Sequence, residues 1–154
     1  MTAKESIYNE IISQATSLMD PQAGWLANFS NLAALLWLHL PDINWVGFYF
    51  QTSPDQLTLG PFQGKPACTI IPMGKGVCGT AASLKKSIIV DDVHNFDGHI
   101  TCDESSASEI VLPILEADEI IGVLDIDSPY LNRFDNVDQT FLEKIIHILL
   151  SASR

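Results

Sequence analysis

Basic residues are scarce in this chain: 8 Lys and Arg stand against 19 Asp and Glu, for a net charge of −11. Neutralising nucleic-acid phosphates takes clustered cations, and anionic membrane surfaces select polybasic segments, so neither partner is expected. From Asp91 to Asp127 there are eleven acidic residues and no Lys or Arg at all. Such a one-sign stretch is either a solvated face or the frame of a site for a cation. Also missing is any run near the roughly 20 apolar residues that span a bilayer. The N-terminus, Met1 to Ser6, lacks the apolar core of a secretory signal. Both absences predict a cytoplasmic protein. There is no Cys-x-x-Cys pair and no His-x-x-x-His on a predicted helix, so a metal site is not expected, although Cys102, His94 and His99 share one loop. Repeats, low-complexity tracts and long linkers are absent too. With 154 residues, 47% of them apolar, the chain suffices for one domain, residues 1–154, with a sizeable core.

Cysteines are few but informative. An odd number, three, in a reducing compartment predicts thiols at rest rather than a structural disulfide framework. Cys68, Cys78 and Cys102 each lie beside loop-forming residues, and a thiol is usually retained for its reactivity. Irregular spacing near turns points to thiol redox chemistry.

The hydrophobic pattern predicts helices over Ser6–Met19, with Ile7, Ile11, Ala15 and Leu18 at helical spacing, and over Trp25–Leu40, ending before Pro41. Strands are expected at Ile43–Gln51, Gln56–Gly60, Cys68–Ile71 and Ser87–Val90, with a helix at Val77–Leu84. A long polar loop, Asp91–Ser106, precedes strands Glu109–Leu115 and Glu119–Asp127, which join at a tight turn and are apolar on both faces. Asp135 or Asn136 caps a last helix. The order α-α-β-β-β-α-β-β-β-α predicts an α+β fold, a mostly antiparallel six-stranded sheet with helices packed on its faces.

Two groups of side chains on these elements are chemically suggestive. Asp125 and Asp127, two apart, share a strand face that begins with Ile121 and Val123; if the last two strands pair through the short turn, Glu109 lies beside them. Three acids at the end of a buried face require a cation or a shared proton; alternatively, Asp125 and Asp127 bond the turn at Ser128-Pro129. Trp45 and Tyr49 also share a face, with Gly47 between them, and are either two walls around a hollow or core aromatics. Among the thiols, Cys78 at a helix start is the best nucleophile on local electrostatics, whereas Asp103 and Glu104 are expected to raise the pKa of Cys102 unless His94 or His99 offsets them.

Several segments carry a resemblance: Asn44-Trp45-Val46-Gly47-Phe48-Tyr49, Gly64-Lys65-Pro66-Ala67-Cys68, Gly74-Lys75-Gly76-Val77-Cys78-Gly79, His99-Ile100-Thr101-Cys102-Asp103, Ser108-Glu109-Ile110-Val111-Leu112-Pro113 and Gly122-Val123-Leu124-Asp125-Ile126-Asp127. In these the chain resembles the free methionine-(R)-sulfoxide reductases, a family built on a single GAF domain, over roughly residues 44–143. The resemblance implies reduction of the R epimer of free methionine sulfoxide, with Cys102 as nucleophile, Cys68 as resolving cysteine and Cys78 as an auxiliary thiol able to exchange into a disulfide. It implies that Glu109, Asp125 and Asp127 hold the substrate and that Trp45 and Tyr49 line its pocket. Thioredoxin is the implied reductant, no other cofactor is expected, and GAF domains often pair, so a homodimer is anticipated. For the nucleophile, the resemblance to Cys102 is preferred over the local electrostatics of Cys78. Attack on the sulfoxide makes its oxygen basic, so a protonated acid, Glu109 or Asp127, is the expected general acid. The competing expectation is a non-catalytic GAF module that binds a small molecule or senses redox state.

Overall fold

The computed structural model describes residues 1–98 and 102–153; His99 and the segment around it lie outside the described residues. Helix α1 (Ala3–Leu18) begins before the apolar spacing does, because Thr2 caps it. The Thr2 hydroxyl accepts the Glu5 N–H at 3.1 Å, and the Glu5 carboxylate accepts the Thr2 N–H at 3.2 Å. Helix α2 (Trp25–His39) follows Gly24, which holds φ at 87°. Then come β1 (Trp45–Ser53), β2 (Gln56–Gly64), β3 (Ile70–Pro72), α3 (Gly76–Leu84), β4 (Ile88–Val90), β5 (Ser108–Glu116), β6 (Glu119–Ser128) and α4 (Asn136–Ala152). The order is the one expected, and Asp135 is the residue that caps α4. The long polar loop carries a 3₁₀ turn at Val93–Asn95, capped by Asp92.

All six strands form one antiparallel sheet in the order β3-β2-β1-β6-β5-β4. Strand alternation divides its side chains between two apolar layers. Val46, Phe48, Ile110, Leu112, Leu124 and Ile126 pack with α1, α2 and α4. Trp45, Tyr49, Val111 and Val123 point the other way, onto Val77, Cys78, Ala81 and Ala82 of α3. Among the described residues no helix is long and apolar enough to cross a membrane.

Two details differ from the sequence pattern. Cys68 lies ahead of β3 rather than in it, because its carbonyl accepts the Tyr49 hydroxyl at 2.9 Å instead of a strand neighbour. Ile121 does not share the face of Val123. A bulge opposite Ile114 and Leu115 inserts one residue into β6, so Ile121 packs with the helical layer while Ile120 joins Val123. The extra residue sits at the far end of β6 from Asp125 and Asp127, and the alternation across Val123, Asp125 and Asp127 is intact.

Helices α1 and α4 are tied by the fully buried Asp138. Its carboxylate accepts the Tyr8 hydroxyl at 2.6 Å and Lys4 Nζ at 2.8 Å, and lies 3.4 Å from an Arg133 nitrogen. Burial and the Asp138 charge push the Tyr8 phenol well above its ordinary pKa, so the hydroxyl stays a donor. Asp138→Ala strands these donors and should cost about 3 kcal/mol, seen as a fall of roughly 10 °C in Tm. A Tm within about 2 °C of wild type would refute this role.

Candidate active site

The register of β5 with β6 sets Glu109 opposite Asp127 and Val111 opposite Asp125. Strand alternation then puts all three carboxylates on the face covered by α3, where they continue the apolar row of Val111 and Val123. Glu109 and Asp125 are each 6% exposed, and Asp127 is half-buried. Burial pushes all three up from the ordinary carboxylate range. Asp125 rises to about 8, with the Asp127 charge adding to burial; Asp125 adds to burial at Glu109, and Glu109 does so at Asp127. Helix α3 lays Cys78 against this cluster: its Sγ and one oxygen each of Glu109 and Asp125 lie within 4.8 Å of one another. Asp125 Oδ1 is buried and has no hydrogen-bond partner.

One wall of the pocket is aromatic. Trp45 stacks on Tyr49 at 5.9 Å between centroids and on Phe62 at 5.4 Å, and its indole N–H donates to the Lys65 carbonyl at 3.0 Å. Gly47 leaves no hollow between two walls. A Cβ there would strike Phe62 and the indole ring, so the glycine lets Trp45 fold down across the sheet. Phe62 completes the stack; the expected strand Gln56–Gly60 stopped short of it, whereas β2 continues past Pro61 to Gly64.

Cys68 and Cys102 are joined in a disulfide with Cα atoms 5.6 Å apart, and Cys102 lines the pocket. In this oxidised form the cavity measures ≈ 50 Å³, well below the roughly 300 Å³ and more of ordinary ligand sites. Cys78 is free and buried. The helix start does not make it a thiolate: burial, then the charges of Asp125, Glu109 and Asp127, push its thiol well up. This overturns the local electrostatic reading, in which only the helix was visible. His94 is exposed and is not among the residues lining the pocket, and Cys102 is covalently committed to Cys68, so that pair forms no metal site in this state; His99 lies outside the described residues.

The sequence pattern gave Asn44 no role of its own and read Asp103 only as a charge beside Cys102. The Asn44 backbone N–H donates to the Asp127 backbone carbonyl at 2.9 Å, and its side-chain amide donates to the Ser105 and Ser106 hydroxyls at 3.1 and 3.2 Å. The Ser105 hydroxyl in turn donates to Asp103 at 2.6 Å. This chain fastens the end of the cysteine loop to the end of β6, the strand that carries Asp127. An Asn directly before a strand and a Ser pair after Asp103-Glu104 were the only signals.

Burial keeps protons on the three acids in the folded chain that the unfolded chain releases near pH 4. Their contribution to stability is therefore full below about pH 4 and is lost as pH rises toward the Asp125 value of about 8. Asp125→Asn keeps the shape and removes one such group. Its Tm should exceed wild type by several degrees at pH 8 and by far less at pH 5; equal differences at the two pH values would refute the raised pKa.

Residues 5–149 match the model of the GAF domain family. The chain is 48% identical over 143 residues to the free methionine-R-sulfoxide reductase of Escherichia coli, covering 93% of this chain and 86% of that one. The reduced form of fRMsr from Staphylococcus aureus superposes with a TM-score of 0.90 at 51% identity, covering 96% and 95%. The free methionine-R-sulfoxide reductase of Neisseria meningitidis, in complex with its substrate, does so with 0.94 at 40% identity, covering 99% and 92%. The chain belongs to the GAF domain family and, within it, to the free methionine-R-sulfoxide reductase group.

Proposed function

We propose that this protein reduces free L-methionine-(R)-sulfoxide to methionine with Cys102 as nucleophile. The observation that supports the reading most is the Cys68–Cys102 disulfide beside a pocket lined by Glu109, Asp125 and Asp127. A free amino acid carries an ammonium group, which the carboxylates suit. A residue inside a protein lacks it and would leave them buried without a counter-charge. The first turn of α3 has no side-chain cap, and Gly76, Val77 and Cys78 line the pocket; the positive end of this helix suits the substrate carboxylate. Trp45 and Tyr49 offer an apolar wall to the thioether.

In the proposed sequence the Cys102 thiolate attacks the sulfoxide sulfur. A proton moves from one of the acids, whose raised pKa keeps it protonated near neutrality, to the oxygen. The protonated oxygen passes to the Cys102 sulfur as methionine leaves, so Cys102 is left as the sulfenic acid, and the donor acid regains its proton from solvent. Cys68 condenses with it, releasing water and forming the disulfide. A thioredoxin dithiol then restores both thiols and is itself oxidised. Cys78 stays in the pocket as an auxiliary thiol. The reading includes a cytoplasmic setting and a homodimer.

A coupled assay following NADPH through thioredoxin reductase and thioredoxin tests this with the free R sulfoxide, its S epimer and an N-acylated R sulfoxide. Turnover should be confined to the free R epimer and fall at least about a thousandfold in Cys102→Ser. Turnover of the N-acylated form at a similar rate would overturn the acid-cluster selectivity. No turnover of any sulfoxide by folded protein would leave the non-catalytic GAF module.

A further inference from the structure

The pocket holds a donor that an ammonium group does not require. Carboxylate oxygens satisfy a substrate amine, whereas the Cys78 thiol is a weak acceptor. A thiol beside two carboxylates is instead a donor set of the kind that binds a borderline-soft divalent ion. We propose that Cys78, Glu109 and Asp125 form a site for a divalent cation of the zinc type, which occupies the pocket in place of the substrate ammonium and so inhibits the enzyme.

Geometry supports the assignment. The three donor atoms lie within 4.8 Å of one another, and a tetrahedral zinc ion with bonds of 2.0–2.3 Å needs them about 3.5 Å apart. Movements of roughly an ångström per side chain, within rotamer reach, close that gap. The donors stand on α3, β5 and β6, elements whose relative positions are fixed by the apolar layer of Val77, Ala81, Val111 and Val123. Asp125 is 94% buried by its 6% exposure, and its Oδ1 has no hydrogen-bond partner. A buried, unsatisfied carboxylate oxygen is costly, and a cation answers it directly. Asp127, opposite Glu109, stands near enough in register to offer a further oxygen. Binding is coordination without electron transfer: the Cys78 S–H bond breaks, its proton and those held by Glu109 and Asp125 pass to solvent, and metal–thiolate and metal–carboxylate bonds form.

The oxidised protein isolates the site, because the Cys68–Cys102 disulfide leaves Cys78 as the one thiol of the chain. Titrating that form with Co²⁺ should give a thiolate-to-cobalt charge-transfer band in the near ultraviolet that saturates at one ion per chain and is bleached by Zn²⁺. The band should vanish in Cys78→Ser. Asp125→Asn, which keeps the thiol, should weaken binding at least about tenfold and serves as the readout if Cys78→Ser does not fold. No band in the wild type, a band that survives in Cys78→Ser, or unchanged affinity in Asp125→Asn would each overturn the site. Competition rests on the function proposed above. In Cys68→Ser/Cys102→Ser, where Cys78 is again the one thiol and no disulfide closes the pocket, free methionine-(R)-sulfoxide should displace Co²⁺. Binding of Co²⁺ that the sulfoxide leaves untouched would overturn competition while leaving the cation site standing.

Discussion

Three carboxyl groups at the end of a buried sheet face are the constraint around which the pocket is arranged. An ionised carboxylate in such a place is expensive unless a partner or a proton compensates it. The folded chain keeps protons on Glu109, Asp125 and Asp127 well above the ordinary range. That condition has two sides. Protonated acids are proton donors at neutral pH, which sulfoxide chemistry needs. An arriving ammonium group or metal ion changes the balance and favours the ionised form. The same cluster can therefore act as acid, as binding site and as discriminator against neutral ligands, without any residue being added.

Support for this cluster comes from both layers of the fold. On the helical side, Val46, Phe48, Leu124 and Ile126 anchor β1 and β6, and Asp138 links α1 with α4. On the other side, α3 closes the pocket, and the Asn44–Ser105–Asp103 chain ties the cysteine loop to the strand that carries Asp127. Tyr49 spans both roles: its ring stacks with Trp45, and its hydroxyl fixes the carbonyl of Cys68. Burial, then the nearby acids, keep that phenol protonated and hence a donor. The aromatic wall of the pocket and the disulfide partner Cys68 are thus positioned by one side chain.

Much of this was legible in the sequence. Period-two alternation put Asp125 and Asp127 on one face, but the two-residue turn alone would set Glu109 opposite Ile126; the bulge at Ile121 shifts the register by one and brings Glu109 to Asp127. The helices followed from apolar spacing and from Pro and Gly breaks. What escaped was non-local or depended on a count of one. The bulge at Ile121 reverses a face assignment but leaves no mark in composition. Gly47 reads as a gap, yet the space belongs to an indole that folds over it. The pKa of Cys78 depends on acids about 30 to 50 residues away in sequence, so its helix position alone pointed the wrong way. Asn44 and Ser105 act through hydrogen bonds that no sequence pattern announces.

The Cys68–Cys102 bond closes a loop of 34 residues. In the chain-entropy model a cross-link of that span restrains the unfolded state by roughly 4 kcal/mol, a substantial share of a small domain's 5–15 kcal/mol. In the proposed cycle this link is made and broken once per turnover, so the molecule alternates between a firmer and a softer body. Its thiol form, the one ready to react, is then the softer of the two. Starved of reductant, the population would drift toward the tougher oxidised state, and protease resistance would track the cell's supply of reducing power.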